Sequence, residues 1–237
     1  MDNDDILNLL DDGDVLEKTP STSFNKQSGQ GKQGGQANKF YNKLDVEPIK
    51  LSRENMITDN KSFMLALSTK GDDLPEDVKA KIRKVMTYLA SKGLTYRHNT
   101  GMKDEFSCSL LELFENKEGY LPWRSFNPGV QAPVVFHPTE LAYKVLAAEH
   151  RFFSKLPDNV RAIVASEVNV ILGKDCQKPV KFILAYSPCG SEGFKKGMDY
   201  KILGGVNFPM HLSKVYEIPL ININSKDFSG EKLSKFL

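Results

Sequence analysis

The chain has 237 residues, 40% hydrophobic and 26% charged, an ordinary balance for a globular protein and enough length for one domain with additional segments. No apolar run approaches the roughly 18 residues of a membrane span, and the acidic N-terminus has neither the basic start nor the apolar core of a secretory signal. Cys108, Cys176 and Cys189 fall in no CxxC spacing and read as free thiols of a reducing cytoplasm, and four scattered histidines give no zinc pattern, so no metal is expected.

The net charge of +2 conceals a segregation. Residues 1–17 hold seven acidic side chains and no lysine or arginine, whereas residues 18–44 hold five lysines and no acid. The head, MDNDDILNLLDDGDVL, places Ile6, Leu9 and Leu10 at i, i+3 and i+4. It reads either as a solvating acidic terminus or as a docking peptide for a partner, or for the protein's own basic groove. The following STSFNKQSGQGKQGGQANKFYNK has too few large apolar groups to offset its ordering entropy, so residues 1–55 are expected to form a disordered arm ahead of a domain spanning 56–237.

From Lys61 the pattern alternates. SFMLALST is a run of strand length. PEDVKAKIRKVMTYLASKG is a helix opened by Pro75 and closed by Gly93, with Val78, Ile82, Val85, Met86 and Leu89 on one face. LTYRH reads as a strand, EFSCSLLELFEN as a helix, and GYLPWRSFNPG as a strand running into a Pro/Gly loop. PTELAYKVLAAEHRFFSKL and PDNVRAIVASEVNVILG are helices each led by proline. KFILAYS is a strand, GGVNFPMHLSKVYE a helix begun late or interrupted because of Pro209, IPLININ the last strand and GEKLSKFL a short terminal helix. This order predicts an α/β fold: a three-layer Rossmann-like open sheet, mainly parallel, with helices on both faces and its crevice off the carboxyl ends of the strands.

Within Lys174–Lys201 the chain carries Lys174, Lys178, Lys181, Lys195, Lys196 and Lys201 against only three acids. The loop YSPCGSEGFKKGMDYKILGG follows a predicted strand. Arg97, His98 and Lys103 follow another, and Trp123 and Arg124 a third. Cations attract phosphates irrespective of sequence, and exposed aromatics give stacking platforms. The candidate nucleic-acid-binding set is therefore Arg97, His98, Lys103, Trp123, Arg124, Lys174, Lys178, Lys195, Lys196 and Lys201, gathered on one rim. Each has a plainer reading: Trp123 beside Pro122 as a packed loop anchor, the lysines as solvated surface, and Asp104 and Glu105 as helix N-terminal acids balancing the dipole. Met198, Met210 and the Phe152–Phe153 pair read most simply as core or near-core.

Five segments, YRHNTGMKDEF from Tyr96, GYLPWRSFNPG from Gly119, VVFHPTE from Val134, VILGKDCQKPVKFILAYS from Val170 and GGVNFPMHLSKVYEIPLININ from Gly204, occur in an order that resembles a known family. It is the Rossmann-like family around bacterial DNA-processing protein A and the lysine-decarboxylase-like nucleotide-binding proteins, in its small phage form, and the resemblance covers roughly residues 61–224. The chain departs from it where consecutive glycines would follow the arginine: His98, Asn99 and Thr100 precede Gly101, and Val206 replaces the threonine after the later Gly-Gly pair. The glutamate of the phosphoribohydrolase motif PGGxGTxxE is absent. The layout looks most like that of the single-stranded-DNA-binding RNA polymerase cofactors of podophages. What the resemblance implies is a non-enzymatic protein without a cofactor, acting in the host cytoplasm on single-stranded DNA with a phage-encoded RNA polymerase as partner, away from membranes and with self-association expected. The rival expectations are a nucleotide or nucleotide-sugar hydrolase with Asp104 or Glu105 as base, and a small-nucleotide sensor using the same crevice.

Overall fold

A computed structural model describes residues 46–99, 104–123, 126, 135–194 and 200–237. Six strands form one sheet: β1 Asp59–Leu67, β2 Thr95–Asn99, β3 Lys117–Tyr120, β4 Val135–Phe136, β5 Val180–Tyr186 and β6 Leu220–Asn222. Their spatial order is β4-β3-β2-β1-β5-β6, and every neighbouring pair is parallel. Helices α1 Glu76–Ser91, α2 Glu105–Leu111, α3 Glu140–Glu149, α4 Asp158–Leu172, α5 Asn207–Val215 and α6 Gly230–Ser234 connect or follow the strands. The fold is the expected Rossmann-like α/β sheet with helices on both faces.

The central strands are apolar on both sides because both sides are covered. On one face Met64 and Ala66 of β1 and Ile183 and Ala185 of β5 meet Val145 and Leu146 of α3, Ala165 and Val168 of α4 and Met210 and Leu212 of α5. On the other, Phe63 and Leu67 meet Phe182 and Leu184 under Ile82, Val85, Met86 and Leu89 of α1, with Phe106 and Leu110 of α2 and Leu233 of α6. The register sets Phe63 beside both Tyr96 and Phe182. Their rings stack at 5.3 and 5.5 Å, so one aromatic row crosses β2, β1 and β5.

Three boundaries differ from the sequence reading. Val46 and Leu51 pack against the core, and the Ile49 amide donates to the Lys144 carbonyl of α3, so packed structure begins ten residues before the expected end of the arm. The α2 helix stops at Leu111, because the chain turns to start β3 at Lys117, whose Nζ donates to the Leu111 carbonyl. The two-residue β4 was not expected; it exists only through its pairing with Gly119 and Tyr120. The acidic head and the lysine-bearing stretch of residues 18–44 lie outside the described residues.

The strand order reverses at β1, with β2 on one side and β5 on the other, which is the switch point where such sheets open a crevice. There the chain after β5 makes a 3-10 turn over Tyr200–Val206 and enters α5, with Pro209 in the first helical turn, where its missing N–H costs nothing. Gly204 adopts φ 45°, ψ −122°, and a Cβ there would collide with the carbonyl oxygen of Ser68; one at Gly205 would collide with that of Leu67. The Gly-Gly pair thus seats the start of α5 against the end of β1. Gly204→Ala is expected to lower the unfolding free energy by about 2–3 kcal/mol in urea titrations. Gly193→Ala, where a Cβ meets nothing, is expected to change it by less than about 1 kcal/mol.

Candidate nucleic-acid interface

A crevice of about 770 Å³ opens at the switch point. Its walls come from Met64–Leu67 of β1, Tyr96 and His98 of β2, Cys108 and Leu111 of α2, the end of α3, Ile163, Val164 and Glu167 of α4, and Gly204 to His211 at the start of α5. This volume is within the range of small-molecule and cofactor sites, and the lining is of the same kind, mostly apolar with a few polar groups.

An aromatic row runs along one wall. The Phe152 ring lies 6.5 Å from that of His150, His150 lies 5.5 Å from Phe208, and Phe208 lies 6.4 Å from His211. His211 is fixed in turn by Glu149, with Nε2 3.0 Å from Oε2. Phe152 is 43% exposed, with the Arg151 guanidinium 4.2 Å and the Lys155 ammonium 5.8 Å from its ring centre. Sequence reasoning gave Phe152 to the core. The turn that carries it is held by Arg161, which is buried in α4, donates to the carbonyls of Phe153 and Ser154, and pairs with Asp158. Phe126 and Phe194 complete the aromatic lining, with Trp123 set edge-on to Phe126 at 4.5 Å.

The candidate residues fall into separate places. His98 lines the crevice but is only 5% exposed, and its Nε2 is buried with no hydrogen-bond partner among the described residues. Burial, and then the nearby Lys117, push its pKa down to about 4, so the ring is neutral at physiological pH. Trp123 is half-buried and packed against the core, as the anchor reading has it. Arg97 is not on the rim. It is buried, with Nη2 2.7 Å from Asp59, Nε 2.9 Å from Glu118 and Nη1 donating to the Lys178 carbonyl at 2.7 Å. These partners hold the guanidinium toward the amino edge of the sheet. Lys174 and Lys178 belong to that edge as well, because they lie in the connection that leads from α4 into the start of β5. Both are exposed, and Lys174 lies 5.5 Å from the Phe136 ring centre. Lys201 is exposed on the turn before α5, next to the crevice-lining segment. Lys103, Arg124, Lys195 and Lys196 lie outside the described residues.

The opening part of the 186–205 loop is occupied structurally. Asn222 Nδ2 donates to Ser187 Oγ and the Ser191 carbonyl, and Lys232 grips both oxygens of Glu192 at 2.8 and 2.7 Å. Asp104 caps α2 by accepting from the Ser107 amide at 2.8 Å, while Asp72 accepts from the amides of Glu105 and Phe106. Neither Asp104 nor Glu105 lines the crevice. Among the described residues no group of three or more His, Cys, Asp or Glu side chains is set to hold a metal, and no helix is long and apolar enough to cross a membrane.

One residue of the crevice escaped the sequence reading. Ile163, Val164 and Glu167 share a face of α4, so a carboxyl continues an aliphatic stripe. Glu167 is surrounded by protein and reaches solvent through the crevice, with no ion pair among the described residues. Burial raises its pKa from the ordinary 4.5 to about 8.

No family model, curated protein or solved structure matches the chain.

Because the folded state holds the Glu167 proton more tightly than the unfolded chain, this group's contribution to stability is complete below about pH 4.5 and is lost as pH rises through about 8. Glu167→Gln removes the dependence. Thermal melts are expected to show no gain for the variant at pH 4.5 and a gain on the order of 5 °C at pH 9.

Proposed function

We propose that the protein is a non-enzymatic single-stranded-DNA-binding protein that seats bases in the switch-point crevice. The observation that supports this is the row Phe152–His150–Phe208 along the crevice wall, with Arg151 and Lys155 over its exposed end. Aromatic faces accept any base, worth about 1–3 kcal/mol each, and cations beside them meet the phosphates that a strand brings. With the Glu167 proton retained, that carboxyl adds no charge against a polyanion at neutral pH, and Glu149 is engaged by His211. A strand lying along this wall would also pass Lys201, exposed on the turn before α5.

The partner is proposed from the resemblance alone. On that footing the bound strand is promoter DNA kept open for a phage-encoded RNA polymerase in the host cytoplasm, with the acidic head as the recruiting element. A small-nucleotide ligand is the competing reading, favoured by the depth of the crevice around Glu167.

Fluorescence anisotropy with labelled oligothymidine separates the two. Binding is expected to tighten with strand length, to weaken steeply with salt and to resist ATP. Phe152→Ala is expected to weaken it about tenfold. Arg151→Ala is expected to reduce the log–log salt slope by about 0.7. Displacement by ATP at equal base concentration, or unchanged affinity in both variants, would overturn the proposal.

A further inference from the structure

We propose that the acidic head, residues 1–17, seats in the switch-point crevice of its own chain and that an incoming strand displaces it. The displacement rests on the binding reading above; the seating does not. The crevice is lined by apolar groups, among them Ile163, Val164 and Phe208, and carries Phe152 under Arg151 and Lys155. On the turn into α5, Lys201 and Ile202 again set an exposed cation beside an exposed apolar side chain. A segment that complements such a surface has aliphatic groups on one side and acids around them. The head has that composition: Ile6, Leu9 and Leu10 at i, i+3 and i+4, three acids ahead of them, four after, and no lysine or arginine. Its carboxylates meet the same cations that a strand's phosphates would meet.

The chain joins the described domain close by. Val46 packs against the core, and the Ile49 amide donates to the Lys144 carbonyl of α3. That helix ends at Glu149 in the crevice wall, five residues or about 8 Å further along its axis. Residues 18–45 lie between the head and this point. They would span roughly 40 Å wound into a helix and roughly 90 Å extended, so the tether permits the contact in either form. It also holds the head at an effective concentration on the order of millimolar, so that weak contacts suffice. Charge alone would allow another seat, because Arg83, Lys84 and Lys92 are exposed on the outer face of α1. The apolar side chains of that helix, Val78, Ile82, Val85, Met86 and Leu89, are buried against the sheet and leave nothing to take the stripe. A strand entering the crevice would release the head, so recruitment of a partner through the head follows DNA binding.

The test uses the full chain with a photoreactive benzophenone side chain in place of Leu9, irradiated at low salt and mapped by peptide mass spectrometry. Adducts are expected within the same chain, on the crevice peptides that hold Phe152, Val164 and Phe208, and are expected to disappear under saturating oligothymidine. In parallel, Ile6→Ser, Leu9→Ser and Leu10→Ser together keep every charge of the head. This triple variant is expected to bind oligothymidine about fivefold more tightly in anisotropy titrations, the gain when the head fills about four crevices in five. Adducts on α1, adducts between chains in a mixture with isotope-labelled protein, or no adducts would overturn the seating. Crevice adducts that persist under saturating oligothymidine, or unchanged affinity in the triple variant, would overturn the displacement. Crevice adducts without oligothymidine binding at any salt would overturn the binding reading and the displacement with it, while the seating stands.

Discussion

The approach of Gly204 and Gly205 to the last carbonyls of β1 is the contact on which the rest of the site depends. Backbone meets backbone there, with the Gly205 amide donating to the Ser68 carbonyl at 3.4 Å and no room for a Cβ on either glycine. A side chain at either position would lift the start of α5 away from the sheet, and with it Phe208 and His211. Those two rings form the far wall of the crevice, and His211 fixes Glu149 at the end of α3. The glycine pair is thus needed first for packing.

The two edges of the sheet have different tasks. At the amino edge, Arg97 of β2 joins Asp59 of β1, Glu118 of β3 and the Lys178 carbonyl ahead of β5, tying four segments with one nearly buried guanidinium. Removing one partner of such a cluster leaves uncompensated charge, which costs more than the cluster contributes when intact. At the carboxyl edge the groups are more open: an exposed phenylalanine under two cations and, among the described residues, two histidines with buried nitrogens lacking partners and a carboxyl without an ion pair. Unsatisfied polar groups next to exposed aromatics are what a folded core avoids and a binding surface uses.

Much of the fold was legible in the sequence because its strands and helices carry strong patterns. The continuous apolar runs of β1 and β5 announce burial on both faces, and the 3.6-residue stripe of α1 is complete. The site was legible in part. Arg97 was taken for a rim cation because its acids lie 38 and 21 residues away and meet it only through the parallel register. Lys174 and Lys178 were grouped with later lysines by proximity along the chain, although they precede β5 and Lys201 follows it. Phe152 sits in a Phe-Phe pair that reads as core, and its exposure follows from the turn that Arg161 fastens. Glu167 did have a signal, an acid at i+4 and i+3 from two aliphatic residues of an otherwise buried helix face, which is weak until a cavity is seen beside it.

We propose that a nucleic-acid strand occupies the carboxyl-edge crevice. Photocrosslinking with a 5-iodouracil-substituted oligothymidine, followed by peptide mapping, tests it most directly, because the probe reports which aromatic side chains touch the bases. Adducts are expected on Phe152 and Phe208, lost when the crevice is blocked by unlabelled oligomer. Adducts confined to the surface around Phe136, Lys174 and Lys178, with none on the crevice wall, would overturn it.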